Sequence, residues 1–92
     1  MVRFNLKPLR LLGISTNNQP VMGGLFELYD THGLPLADAI RYLQTHAITP
    51  GLHDFIQTAQ RHGWPRERAE RYVVDACVEA DVSVPFQLRG VK

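Results

Sequence analysis

Four histidines, His32, His46, His53 and His62, and one cysteine, Cys77, are the residues that first suggest a metal site in this 92-residue chain. Zinc sites draw ligands from close pairs such as C-x-x-C, H-x-x-x-H or H-E-x-x-H, and none of these patterns is present. Successive histidines stand 14, 7 and 9 residues apart. They therefore read as solvated or capping residues, His46 and His62 lying near helix ends where a partial positive charge is favourable. No metal and no other cofactor is expected. Cys77 falls on the inward face of a helix and reads as a small buried hydrophobe rather than a nucleophile.

Other chemistries fare no better. Asp38, Asp54 and Asp75 are spread over three helices with no reason to converge as an acid and base pair. The "MGG" of Met22, Gly23 and Gly24 is too short for a phosphate loop and lacks the following lysine. An enzyme is not expected. The remaining cluster is basic: Arg61, His62, Arg66, Arg68 and Arg71 surround Trp64, which would set cations and an aromatic plate against a nucleic acid. Glu67 and Glu70 interrupt the run, so a solvated helix face with Trp64 packed over Gly63 competes with that reading.

The elements that must position these residues are mostly helical. Met22, Leu25, Phe26 and Tyr29 follow an i, i+3, i+4, i+7 stripe that Gly33 is placed to end. Pro35 suits the first position of a second helix, whose inner face is Leu36, Ala39, Ile40, Leu43 and Ala47. A third has Thr49 as N-cap, Pro50 at its first position, and Leu52, Phe55, Ile56 and Ala59 as its stripe before Gly63. From Pro65 a fourth turns Ala69, Tyr72, Val73, Ala76, Cys77 and Ala80 inward, with Glu67 and Arg71 outward as an i, i+4 pair. "GISTNNQP", residues 13–20, is rich in turn formers and reads as a loop. Val2, Phe4 and Leu6 alternate with polar residues, as do Val82, Val84, Phe86 and Leu88, so the two ends can pair as a small ribbon.

Size and composition set the outer bounds. Ninety-two residues suit one domain with one modest core. Here that is a strand and loop over residues 1–20, a helical body over 21–81 and an extended tail over 82–92. Ten Lys and Arg against nine Asp and Glu leave a net charge of +1, so any polyanion must be held by a local patch. No apolar run approaches a membrane span, and one cysteine makes no internal disulfide. A cytoplasmic protein with no membrane partner is the expectation.

The stretch "LFELYDTHGLPLADAI" resembles a segment of the alanyl-tRNA synthetases. In that family an aromatic residue precedes Leu-Tyr-Asp-Thr or Ser, then an aromatic or His, Gly, an apolar residue and Pro. The His32 before Gly33 is similar to the archaeal style. The close match covers residues 28–35, with looser similarity over residues 25–62. There the segment lies in the helical tRNA-recognition part, and the resemblance implies that Asp30 corresponds to an acidic residue reading the acceptor stem. Gly33 supplies the turn and Pro35 the restart, which leaves Tyr29, Asp30, Thr31 and His32 for function. The family's ATP-binding core and editing site have no counterpart here, so aminoacylation is not carried over.

The expectation is thus a mainly α fold of about four short helices with, at most, a small ribbon of the two ends. Its core comprises Leu25, Phe26, Tyr29, Leu36, Ile40, Leu43, Leu52, Phe55, Ile56, Ala59, Tyr72, Val73 and Ala76. For function the expectation is a non-catalytic binding module for tRNA or another structured RNA, through Tyr29, Asp30, Thr31, His32, Arg61, Arg66 and Arg68. The alternative is a protein-interaction or assembly module, for example an accessory protein of the phage or mobile-element type, in which Trp64 and Phe86 meet a protein partner.

Overall fold

In the computed structural model, which describes residues 8–82, the first described element is a hairpin, where the sequence pattern suggests a loop and a helix start. Strand β1 (Arg10–Ile14) pairs antiparallel with β2 (Pro20–Gly23). The register slips between Leu11 and Gly13, so Leu12 is the extra residue of a bulge. The turn between the strands is closed by Ser15 N–H to the Gln19 carbonyl at 2.8 Å and Asn18 N–H to the Ser15 carbonyl at 2.9 Å. Asn18 takes a left-handed conformation (φ 65°), which asparagine tolerates better than most residues. The reading of residues 13–20 as an unstructured loop is therefore corrected: Ser15 to Gln19 turn, while Gly13, Ile14 and Pro20 belong to strands.

Met22, expected to open the first helix, is in β2 for a physical reason. Helix α1 (Leu25–Asp30) begins only after the Gly23–Gly24 pair, which disfavours helix, and its buried residues are Leu25, Phe26 and Leu28. Helix α2 (Leu36–Thr45) follows, then a two-residue strand β3 (Thr49–Pro50), α3 (Leu52–Arg61) and α4 (Arg66–Glu79). The sheet order is β1-β2-β3, with β3 parallel to β2 through Val21–Thr49 and Met22–Pro50. Among the described residues, four helices are thus accompanied by a small three-stranded sheet. The ribbon expected of the chain ends involves residues 2–6 and 82–88; of these Val82 alone is described, and it is not in a strand but follows α4 with its N–H on the Cys77 carbonyl at 3.0 Å, while the others lie outside the described residues.

Thr49 and Pro50 do not start α3, because both are taken up by the sheet, where a proline is tolerated on an edge strand. Gly51 takes the N-cap position and donates its N–H to the Met22 carbonyl at 2.8 Å. Pro35 and Pro65 likewise stand one place earlier than expected, as the N-cap residues of α2 and α4.

Ala47 is not on the inner face of α2. The helix ends at Thr45, and Ala47 adopts φ 56° so that Ile48 N–H can reach the Leu43 carbonyl at 2.9 Å and the chain can turn into β3. Gly63 (φ 93°) does the same after α3, with Trp64 N–H on the Ala59 carbonyl at 3.0 Å. An L-residue in this conformation is strained by about 1–2 kcal/mol, partly offset by the extra unfolded-state freedom of glycine. Ala47→Gly is therefore expected to stabilise the protein by about 0.5–1 kcal/mol, read as a rise of ~4 °C in Tm. An unchanged or lower Tm would contradict the left-handed exit from α2.

The core follows the helical stripes. Leu36, Ile40, Phe55, Ala59, Ala69, Val73 and Cys77 are fully shielded from solvent, and Leu25, Phe26, Leu43 and Ile56 nearly so. Tyr29 and Tyr72, expected inside, are half-buried and pack against the core from its edge. On α4 an i, i+4 ion pair runs from Arg66 Nε to Glu70 Oε2 at 3.1 Å. No helix among the described residues is long and apolar enough to cross a membrane.

Candidate functional site

Tyr29 sits on the last turn of α1, and the corner after it is closed by backbone alone. Gly33 N–H reaches the Tyr29 carbonyl at 3.1 Å and Leu34 N–H the Leu28 carbonyl at 3.0 Å, with Gly33 at φ 70°. Asp30, Thr31 and His32 are exposed on the outside of this corner. Within the described residues their side chains make no hydrogen bond or ion pair. The turn thus uses Gly33 for its geometry and leaves the three preceding side chains to solvent.

Inward from the corner, aromatic rings from three elements meet. Phe26 packs edge-on to Phe55 at 5.3 Å, Phe55 stacks on Tyr72 at 5.6 Å, and Tyr29 lies 5.1 Å from Tyr72. Trp64, in the link between α3 and α4, stands perpendicular to Tyr29 (88°, 5.9 Å) and Tyr72 (83°, 5.8 Å). Arg68, one turn into α4, lays its guanidinium over Trp64, with Cζ 4.0 Å from the ring centre. Tyr29, Trp64 and Tyr72 then form the aromatic wall of a groove of about 480 Å³, with Arg68 and Arg71 beside Glu67 and Asp75 along its α4 side.

Of the residues expected at a site, the fold brings Tyr29 and Arg68 together in this groove. Asp30, Thr31 and His32 are on the adjoining corner. Arg61 and Arg66 are not in its lining: Arg61 ends α3 with its guanidinium on Thr58 Oγ1 at 3.1 Å, and Arg66 is held by Glu70. Tyr72, expected in the core, and Asp75, set aside as an acid or base, both line the groove because α4 shows this side to α1. Burial pushes the Tyr72 hydroxyl above its ordinary pKa, against a backbone hydrogen bond at Leu36 that acts the other way, so Tyr72 stays neutral. Burial alone raises the Cys77 thiol, which keeps it protonated and unreactive.

No family model, curated protein or solved structure matches the chain. Among the described residues no three His, Cys, Asp or Glu side chains gather as metal ligands. His46 and His62 are the C-cap residues of α2 and α3; His46 Nδ1–H donates to the Tyr42 carbonyl at 2.9 Å, and the His62 ring stacks on Phe26 at 4.9 Å.

A larger depression of about 620 Å³ lies over the sheet, lined by Leu12, Val21 and Leu52. Its described lining includes Asp54 and Asp81 and no Arg or Lys, a set that does not favour an anion. Asp54 is also structurally committed. Its Oδ2 accepts the Gly24 N–H at 3.0 Å and its Oδ1 takes the Arg10 guanidinium at 3.2 Å, which ties α3 to β1 and to the N-cap of α1 just after β2. Nothing in the local sequence marks Asp54 for this, since its partners arrive only with the sheet.

Proposed function

We propose that the protein is a non-catalytic binding module that takes a structured RNA on the face shared by the Gly33 corner, the end of α1 and the beginning of α4. The observation that carries this reading is the meeting of Tyr29 with Trp64 and Arg68 in one groove, beside three corner side chains that the turn does not need. Aromatic rings and arginines on one surface are the means by which proteins hold unstacked bases and backbone phosphates. The resemblance to the acceptor-stem-reading segment of alanyl-tRNA synthetases points to a tRNA acceptor stem as the ligand, with Asp30 in contact with it.

A net charge of +1 makes the electrostatic contribution small and local. The test is a titration of a labelled tRNA pool and a matched acceptor-stem hairpin at low and moderate salt. Saturable binding that weakens as salt rises is expected, and Asp30→Ala should reduce the preference for the hairpin about ten-fold, the order of one lost base contact. Absence of binding by the folded protein at low salt would refute the proposal.

A second reading has its own observation. Among the described residues strand β1 is at the sheet's edge and exposes Leu11 (62%), Leu12 (46%) and Ile14 (62%), an apolar strip of the kind proteins use to meet one another. Trp64 is half-buried against the core and Phe86 lies outside the described residues, so a protein-interaction module is better supported at β1 than at those two. Binding at such a strip barely responds to salt, which separates the two readings in one experiment.

A further inference from the structure

We propose that the groove between α1 and α4 takes one unpaired nucleobase, stacked on the guanidinium of Arg68 above Trp64, so that the RNA recognised carries a single-stranded nucleotide beside its helical part. This rests on the reading of the face as RNA-binding and adds what the groove itself holds.

The charges disfavour a phosphate track. Among the described residues that line the groove, Arg68 and Arg71 are matched by Glu67 and Asp75, so these four charges cancel, whereas a surface that follows a duplex backbone gathers unopposed cations. What the groove offers is an aromatic wall with both hydrogen-bond donors and carboxylate acceptors within reach. That is the complement of a base, which has a flat π-face and an edge carrying both kinds of group. A volume of about 480 Å³ is also of the scale of small-ligand sites, roughly 300–1,000 Å³.

The stacking surface is built in advance. Trp64 stands at 80–88° to Phe26, Phe55, Tyr29 and Tyr72, so four rings fix its plane. Arg68 lies over it at 4.0 Å while remaining exposed, which leaves the outer side of a planar, weakly hydrated cation toward solvent. A base added there extends a stack whose lower members are already ordered, and little side-chain entropy is lost on binding. The competing account is that Arg68 only shields the indole.

Trp64 is the single tryptophan, so intrinsic fluorescence reads the site directly. The full chain would be titrated with a blunt acceptor-stem hairpin and with the same hairpin bearing a short single-stranded extension. The extended RNA is expected to bind about ten-fold or more tightly and to change the Trp64 emission, in line with the contribution of one stacked base. Arg68→Lys keeps the charge and loses the plane, and should narrow the difference between the two RNAs to about two-fold or less. Equal affinity of the two hairpins with unchanged emission would overturn the base site while leaving the RNA-binding reading standing. Failure of both RNAs to bind would overturn the two together.

Discussion

Gly24→Ala is expected to destabilise the protein by about 3 kcal/mol or more, a large part of the ~5–15 kcal/mol that holds a domain folded. A Cβ built at Gly24 falls 1.9 Å from the Pro8 carbonyl oxygen and 2.7 Å from its carbon. Both are backbone atoms, so no rotamer change relieves the clash. The residue also stands at φ 89°, which costs an alanine about 1–2 kcal/mol, and overpacking of this kind adds about 1–3 kcal/mol. Displacing it would in turn pull its N–H from Asp54 Oδ2 and loosen the anchor between the hairpin and α3. Gly13→Ala is the matched control, because a Cβ there meets nothing within 4 Å. Urea unfolding of the two variants reads the difference; a Gly24→Ala midpoint equal to that of Gly13→Ala would remove the close approach from the account.

The same residue shows where the sequence stops being readable. "MGG" is recognisable as something other than a phosphate loop, but its actual use, letting Pro8 and Asp54 close on the backbone, depends on residues 16 and 30 positions away in the chain. The stripes of α2, α3 and α4 are legible because a helix reports its buried face within a few residues. The sheet is not, because β3 has only two residues and pairs with Val21 and Met22 across α1 and α2. Strand β1 hides for another reason: Leu11, Leu12 and Ile14 break the alternation expected of a half-buried strand, and the bulge at Leu12 shifts its register. Met22 fitted the stripe of α1 because four positions at helical spacing are too few to tell a helix from a strand that ends beside one.

The candidate site divides along the same line. Tyr29, Asp30, Thr31 and His32 are contiguous, so their motif is visible at once. Trp64 and Arg68 are one turn apart and equally visible as a basic and aromatic run. That the two runs share a groove follows only from α1 and α4 packing on the same side of α3 through Phe26, Phe55 and Tyr72. The aromatic core is therefore also the scaffold of the site.

Phe55→Asp is accordingly expected to abolish cooperative folding. Phe55 is wholly shielded from solvent, with Phe26 at 5.3 Å and Tyr72 at 5.6 Å, and no cation faces it from these contacts. Removing the ring costs about 3–5 kcal/mol, and leaving a carboxylate unpaired among hydrocarbons costs several kcal/mol more, so the sum reaches the stability of a small domain. Phe55→Leu keeps the position apolar and leaves a smaller void, and should retain a cooperative transition at a lower temperature. Circular dichroism and Trp64 emission during heating read both variants, since Trp64 lies 6.3 Å from Phe55. An aspartate variant with an unchanged melting midpoint would mean that Phe55 is not interior, and the aromatic wall would lose its foundation. If instead Phe55→Leu stays folded but binds the extended hairpin less well than wild type, the loss is traced to the tilt of Tyr72 and Trp64, because residue 55 itself has no surface for the RNA to touch.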